Sequence, residues 1–251
     1  MFAWVHLGIR APLTVLHGLK TAATRIRSVF ILRGLRQGRL SPVLYFEAMT
    51  VVTPAVLPSS REALEAALLR LDGLVPMVQI DVVDGRFAAP ASWPYAVPAD
   101  PSVFATGGEI PYMGHFKYEI DLMVESPETS AGAWVEAGAE RVIVHIESVR
   151  NLDRLLAEFA RRYGHEKGFA PDLISIGLAL NIDTEAAAIE PYLNAVDFVQ
   201  FMGIARIGVQ GQPFDDRVLR KIEAFKRAHP DMPIQVDGGV TPLTAPRLLA
   251  L

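Results

Sequence analysis

Val78-Gln79-Ile80-Asp81-Val82-Val83-Asp84-Gly85 is an apolar run with an acid in its middle and an Asp-Gly pair at its end. Read as a strand, it points Val78, Ile80 and Val82 one way and Gln79, Asp81 and Val83 the other, and Asp84-Gly85 supplies the turn that ends it. A carboxylate among β-branched residues is seldom buried without a partner or a task, so Asp81 is either a paired structural acid or a working one. A second stretch tips the balance. Ile234-Gln235-Val236-Asp237-Gly238-Gly239-Val240 repeats the design, an apolar strand with an acid at its C-terminal end and glycines directly after. Two acids that end separate strands can face each other across the mouth of a barrel.

Around these two stretches the chain alternates between strand and helix patterns. Residues 51–57 read as a strand, and Ser59 with Glu62 forms a predicted capping box for a helix that buries Leu64, Leu68 and Leu71. After the strand at 78–83, residues 86–115 hold Pro90, Pro94, Pro98, Pro101 and Pro111 with Gly107-Gly108, a pattern that predicts a long loop over the site instead of a crossover helix. A strand at 118–124 carries Glu119, Asp121 and Met123 on one face. Helices follow near 128–138 and 151–162, strands at 141–146 and 173–180, and a helix capped by Asp183-Thr184 runs toward Leu193. A strand at 198–202, a glycine-bearing loop at 203–212, a helix at 215–228, the strand ending at Asp237 and a helix from about Thr244 complete the pattern. About seven strands in roughly 200 residues predict a (β/α)8 TIM-type barrel of the α/β class, with the eighth βα unit missing through truncation or an open barrel.

The 251 residues are 51% hydrophobic and 21% charged, which is enough apolar material for one large core. No apolar run approaches the roughly 18 residues of a membrane span, so no membrane association is expected of the barrel. Cysteine is absent, which excludes disulfides, thiolate ligands and Cys nucleophiles and fits a reducing, cytoplasmic compartment. The net charge of −4 is unevenly spread. Residues 1–48 carry seven basic residues against the single acid Glu47, about +6, and the remainder carries about −10. Leu13, Leu16, Leu19, Ile26, Val29, Leu32 and Leu35, with Arg between them, allow a basic amphipathic helix, and a membrane-surface or organelle-targeting segment is one reading of it. The favoured reading starts the native chain at Met49, leaving 1–48 as an extension outside the fold and 49–251 as the barrel. No Ser-His-Asp order, Walker loop or basic aromatic-rich face occurs in the barrel segment, so hydrolase and nucleic-acid readings have little support.

Several segments together resemble one family. They are Thr53-Pro54-Ala55-Val56-Leu57, the stretch from Gln79 to Gly85, Asp121-Leu122-Met123-Val124-Glu125, Ala137-Gly138-Ala139 leading to His145, Met202 through Phe214, and Val236 to Val240. In order and near spacing, residues 51–251 are similar to the ribulose-phosphate 3-epimerases. The resemblance implies a two-base mechanism, in which one carboxylate removes the proton beside a ketone and a second returns one to the opposite face. Asp81 and Asp237 match those two acids. It further implies a divalent metal, held in the family by these acids and two histidines, that stabilises the enediolate oxygens. This chain departs from the pattern: Gln79 stands at the first histidine, Asp121 at the second, and Ala55 replaces a substrate-contacting serine. A ligand set of Gln79, Asp81, Asp121 and Asp237 is all oxygen, which suits Mg²⁺, Mn²⁺ or Fe²⁺ better than Zn²⁺. Without a cation three acids at one mouth repel, so either a metal binds or one acid stays protonated.

Backbone N–H groups of Gly208, Gly211, Gly238 and Gly239 are the candidate phosphate cradle, because the loops after late barrel strands hold phosphate in such barrels. The alternative is that each glycine only turns strand into helix. Arg206 could add charge to that site. Met123 and Met202 match pocket-lining residues of the family, and His145 matches a family histidine, although a lone inward His is more often a core residue. His115, on the Pro-rich loop, is a candidate replacement for a lost ligand, and Trp93 and Tyr95 either form a lid or anchor the loop. The expected function is a C3 epimerase of ketose phosphates of the ribulose 5-phosphate type, with Asp121 as metal ligand or substrate contact. A non-catalytic phosphosugar-binding protein and a sister isomerase acting on another phosphosugar are the alternatives. The partner expected is a small phosphosugar, with no nucleic acid, and the chain could form a homo-oligomer.

Overall fold

The computed structural model describes residues 4–9, 35–36, 39–40, 51–163 and 174–251. Among them, eight strands close a barrel: β1 (Trp4–Ile9), β2 (Val51–Val56), β3 (Met77–Val83), β4 (Lys117–Met123), β5 (Ala139–His145), β6 (Ser175–Leu180), β7 (Phe198–Met202) and β8 (Ile234–Asp237). From β2 to β8 each strand pairs in parallel with the next in the chain. β1 lies between β8 and β2 and runs antiparallel to both, with Leu7 opposite Val236 on one side and Val52 on the other. The eighth place in the barrel sheet is thus taken by β1, from the N-terminal part of the chain. Such a strand covers the edges of β2 and β8 that an open barrel would leave unpaired. A two-residue ladder, Leu35–Arg36 with Arg39–Leu40, lies apart from the barrel sheet. The amphipathic helix expected from Leu13 to Leu35 lies, apart from Leu35 itself, outside the described residues.

The helices are α1 (Arg61–Leu71), α2 (Ala131–Glu136), α3 (Leu152–Tyr163), α4 (Arg217–Ala228) and α5 (Ala245–Leu249). Their apolar faces, among them Leu64, Leu68, Leu155, Phe159, Val218, Ile222 and Phe225, join the outward strand residues Ile80, Val82, Ile120, Leu122, Val142, Val144, Val199 and Val236 in one continuous core. Burying each such side chain contributes roughly 1.5–3 kcal/mol. The period-two alternation of the strands then turns their other residues inward. Ile143, Ala179 and Phe198 make a small separate apolar cluster, whereas Gln79, Glu119, Asp121, His145 and Gln200, also in strands, are fully buried polar groups. Barrel interiors are normally filled by branched apolar residues, so these side chains must find partners among themselves.

Two local expectations are corrected. The N-cap of α1 is Ser60, not Ser59: Ser60 is extended and its Oγ accepts from the Ala63 N–H, so the third helical residue is Ala63 and no Glu completes a box. Between β6 and β7 no α-helix forms. Two 3-10 turns, Ala186–Ala188 and Glu190–Tyr192, stand there, because Pro191 lacks the N–H an α-helical bond to Ala187 requires, and the Thr184 hydroxyl is turned to Glu147. The Pro-rich stretch is irregular as expected, apart from the 3-10 turn Pro101–Phe104, and its Trp93, Val103 and Ile110 are buried in the main core. Trp93 is buried edge-on against Trp134, 5.7 Å between ring centres, and donates its Nε1–H to Asp100. It anchors the loop and is no lid.

Candidate active site

β3 carries Gln79 and Asp81, β4 carries Asp121 directly across the ladder from Asp81, and β8 ends at Asp237. One oxygen from each of the three aspartates lies within 4.8 Å of the others, and all three residues are buried. Carboxylates so confined resist ionising together. Burial first, then the neighbouring Asp237 and Asp121 carboxylates, raises Asp81 well above the usual carboxylate range. Burial and Asp121 push Asp237 up to about 7. Opposing these effects, Gln79 Nε2 donates to Asp81 Oδ1 at 2.8 Å, and the Gly238 backbone favours the ionised form of Asp237.

Asp121 is held from two sides. His145 Nε2 lies 3.1 Å from its Oδ1 and Gln200 Nε2 donates to its Oδ2 at 2.8 Å. For His145, burial alone would lower the pKa, but the Asp121 carboxylate, with Glu147 and Asp237 beyond it, outweighs burial and raises it. The ring of Phe87 covers the imidazole at 5.5 Å between centres. This histidine is therefore a bonded core residue held against the acid cluster.

The donor set fits a divalent cation. Three clustered carboxylates provide negative oxygens, and Gln79 Oε1 is buried without a hydrogen-bond partner among the described residues. An orphaned buried carbonyl oxygen beside carboxylates is the donor a hard cation takes.

Asp81 and Asp237 line a common pocket together with Met123, Met202, Gly208 and Gly238, and Leu57, Ile204, Val209 and Gln210 complete its wall. Gly238, at φ +90°, admits a side chain there only if Ile204 gives way, because a Cβ would stand 2.7 Å from the Ile204 side chain. The other two glycines of the expected cradle do not line this pocket. A Cβ on Gly211 would meet open space, and one on Gly239 would meet the Phe214 backbone at 2.6 Å, so Gly239 serves close packing. Arg206 is exposed and also outside the lining residues. His115 pairs with Asp72 at 3.1 Å beside the end of α1 and is no ligand for the acid cluster. Asp84 caps its own turn, accepting from the Arg86 and Phe87 N–H groups, and ties β3 to the end of β4 through the Glu125 N–H.

Glu119, already placed on one face with Asp121, joins a largely buried network with Arg141, Gln200 and Gln235, three residues that reading the sequence for strand-terminal acids alone did not single out. Gln235 Nε2 donates to Glu119 and to Gln200, and Arg141 donates to Gln235 and pairs with Glu119. The signal was present in phase: Gln200 lies two residues before Met202 and Gln235 two before Asp237, on the faces already assigned to the interior.

The sequence model described as the ribulose-phosphate 3 epimerase family matches residues 51–250. Among curated proteins, the ribulose-phosphate 3-epimerase of Bacillus subtilis is 29% identical over 208 residues, covering 80% of this chain and 86% of that protein. That of Rhodobacter capsulatus is 30% identical over 177 residues, 69% of this chain and 68% of its own. The chloroplastic ribulose-5-phosphate-3-epimerase of Arabidopsis thaliana is 28% identical, covering 79% and 66%. The matched span runs from β2, through the three strands that bring the aspartates together, to the end of α5, so this chain belongs to the ribulose-phosphate 3-epimerase family, an isomerase family.

Proposed function

We propose that this chain interconverts ketose phosphates epimeric at C3, of the D-ribulose 5-phosphate and D-xylulose 5-phosphate type, by proton transfer between two carboxylates. The observation that carries the reading is that Asp81 and Asp237 line one pocket while burial raises both acids toward neutrality. A general acid or base works best with a pKa near the operating pH. Ionised Asp81 takes the C3 proton, the electron pair moves into the planar enediolate, and protonated Asp237 returns a proton from the opposite face. The reverse reaction exchanges these roles. A divalent cation held by Asp81, Asp121, Asp237 and Gln79 Oε1 would supply Lewis-acid stabilisation of the enediolate oxygens, with Mg²⁺, Mn²⁺ or Fe²⁺ favoured over Zn²⁺ by the all-oxygen donors. Met123 and Met202 give the substrate a soft apolar wall, and the N–H groups of Gly208 and Gly238 are the candidate phosphate donors at the pocket rim.

The test is solvent exchange at the carbon beside the ketone of ribulose 5-phosphate, followed by NMR in D₂O with and without Mn²⁺ or Mg²⁺. Metal-dependent exchange with epimerisation is expected. No exchange from folded, metal-supplemented protein overturns the reading. A second reading, a phosphosugar-binding protein without turnover, is favoured by Gln79 and Asp121 standing where the family carries histidines. It predicts saturable binding of the phosphosugar with no exchange.

A further inference from the structure

Arg141 stands near the start of β5, and His145 ends the same strand beside the acids. Its guanidinium is a donor with no acceptor atom, and this fixes the direction of a chain of hydrogen bonds running up the barrel. Arg141 Nη2 donates to Gln235 Oε1 at 3.0 Å, so Gln235 must turn its amide nitrogen to the other side. There Gln235 Nε2 donates to Glu119 Oε1 at 2.9 Å and Gln200 Oε1 at 2.8 Å. Gln200, its oxygen so occupied, has only its Nε2 left for Asp121 Oδ2 at 2.8 Å. Arg141 is itself held, paired through Nε to Glu119 Oε2 at 2.7 Å and stacked 4.0 Å over the Phe198 ring.

We infer that Arg141 is a positioning residue for Asp121, acting through Gln235 and Gln200. A glutamine can donate or accept at either end of its amide, and here the Arg141 donor on one side and the Glu119 carboxylate on the other together admit one orientation of Gln235, which in turn presents a donor to Gln200 Oε1. A flipped Gln200 would set a carbonyl oxygen against the Asp121 carboxylate and turn it away from the cluster. With the polarity fixed, one Asp121 oxygen receives Gln200 and the other faces His145, and the carboxylate keeps an oxygen within 4.8 Å of those of Asp81 and Asp237. The inference rests on the reading of Asp121 as a member of that site.

The test is a double-mutant cycle in the full chain with Arg141→Met, Gln200→Leu and the double variant. It follows kcat and KM for epimerisation, Mn²⁺ affinity by electron paramagnetic resonance, and the Gln200 side-chain amide resonances by NMR. Each single change is expected to lower kcat or Mn²⁺ affinity by about 10–100-fold, the range for groups that orient a ligand, with KM little changed. The double variant should be no worse than the poorer single one, because Arg141 acts through Gln200. Arg141→Lys, still donor-only, should recover most of the loss and leave the Gln200 amide resonances unmoved, whereas Arg141→Met should shift them. Multiplying losses in the double variant, or wild-type values and unmoved resonances in Arg141→Met, overturn the inference. If Arg141→Met does not fold, Arg141→Gln, which can accept as well as donate, takes its place in the cycle. A wild-type protein with no exchange and no Mn²⁺ binding defeats the epimerase reading alone, and the amide resonances still decide the network.

Discussion

Gln79 gives its amide nitrogen to Asp81, 2.8 Å from Oδ1, and keeps its amide oxygen buried without a partner among the described residues. One side chain thus steadies a carboxylate and offers a further oxygen beside it. Gln79→Leu removes both. The donor lost to a buried acid costs about 1–3 kcal/mol, and Mn²⁺ affinity should fall at least about 10-fold. Gln79→His should instead retain binding and move preference toward Zn²⁺, since imidazole is the softer donor. Titration calorimetry with each metal checks both outcomes, and unchanged Mn²⁺ affinity in Gln79→Leu would remove Gln79 from the ligand set.

Asp81→Asn and Asp237→Asn each delete one of the two proton carriers. Loss of a positioned acid or base lowers rates by about 10²–10⁴-fold, and exchange should fall by at least the lower figure. The fold should persist, because neutralising one of three crowded buried acids relieves repulsion. Circular dichroism and the deuterium-exchange assay decide this together. An active Asn variant at either position ends the two-base assignment.

The barrel was legible because Asp81 and Asp237 interrupt strand patterns at the same phase and because helix and strand periodicities alternate along 51–249. What stayed hidden depended on contacts between distant segments. That β1 fills the eighth place could not be read from a short apolar run in a basic stretch, since pairing with β2 and β8 is a matter of closure and not of local pattern. The Arg141 network joins residues 94 apart in the chain, so alternation marks each member as inward without saying whom it meets. The Ser60 cap and the 3-10 turns after β6 were missed for local reasons, one residue of register and one proline.

The raised acids set a pH signature for metal-free protein. An Asp237 that titrates at about 7 folded and near 3.8 unfolded binds more protons when folded between those values. Stability is therefore greatest below about pH 4 for this group and is lost as pH rises through about 7, by on the order of 4 kcal/mol. Asp81, raised for the same reasons, acts with the same sign. In chelator-treated protein the melting temperature should fall from pH 5 to pH 8. Saturating Mn²⁺ should flatten or reverse that slope, because the cation replaces the protons that quiet the cluster. A melting temperature that rises with pH in chelator would contradict the burial of these acids.

Gly238 and Gly211 separate backbone strain from ligand contact. Both have positive φ, +90° and +82°, so an alanine at either is strained by about 1–2 kcal/mol. At Gly211 nothing else is lost, since a Cβ there meets open space. At Gly238 the Cβ would also press on Ile204, 2.7 Å away, and force the chain that lines the pocket to shift. Gly211→Ala should thus lose a few degrees of melting temperature and keep its affinity for inorganic phosphate as a competitive inhibitor. Gly238→Ala should lose more stability and at least about 10-fold in phosphate inhibition, the value of one or two backbone donors to a charged group. Equal phosphate inhibition in the two variants would remove the Gly238 N–H from the anion site, and weakened inhibition in Gly211→Ala would bring the tip of the 203–212 loop into it.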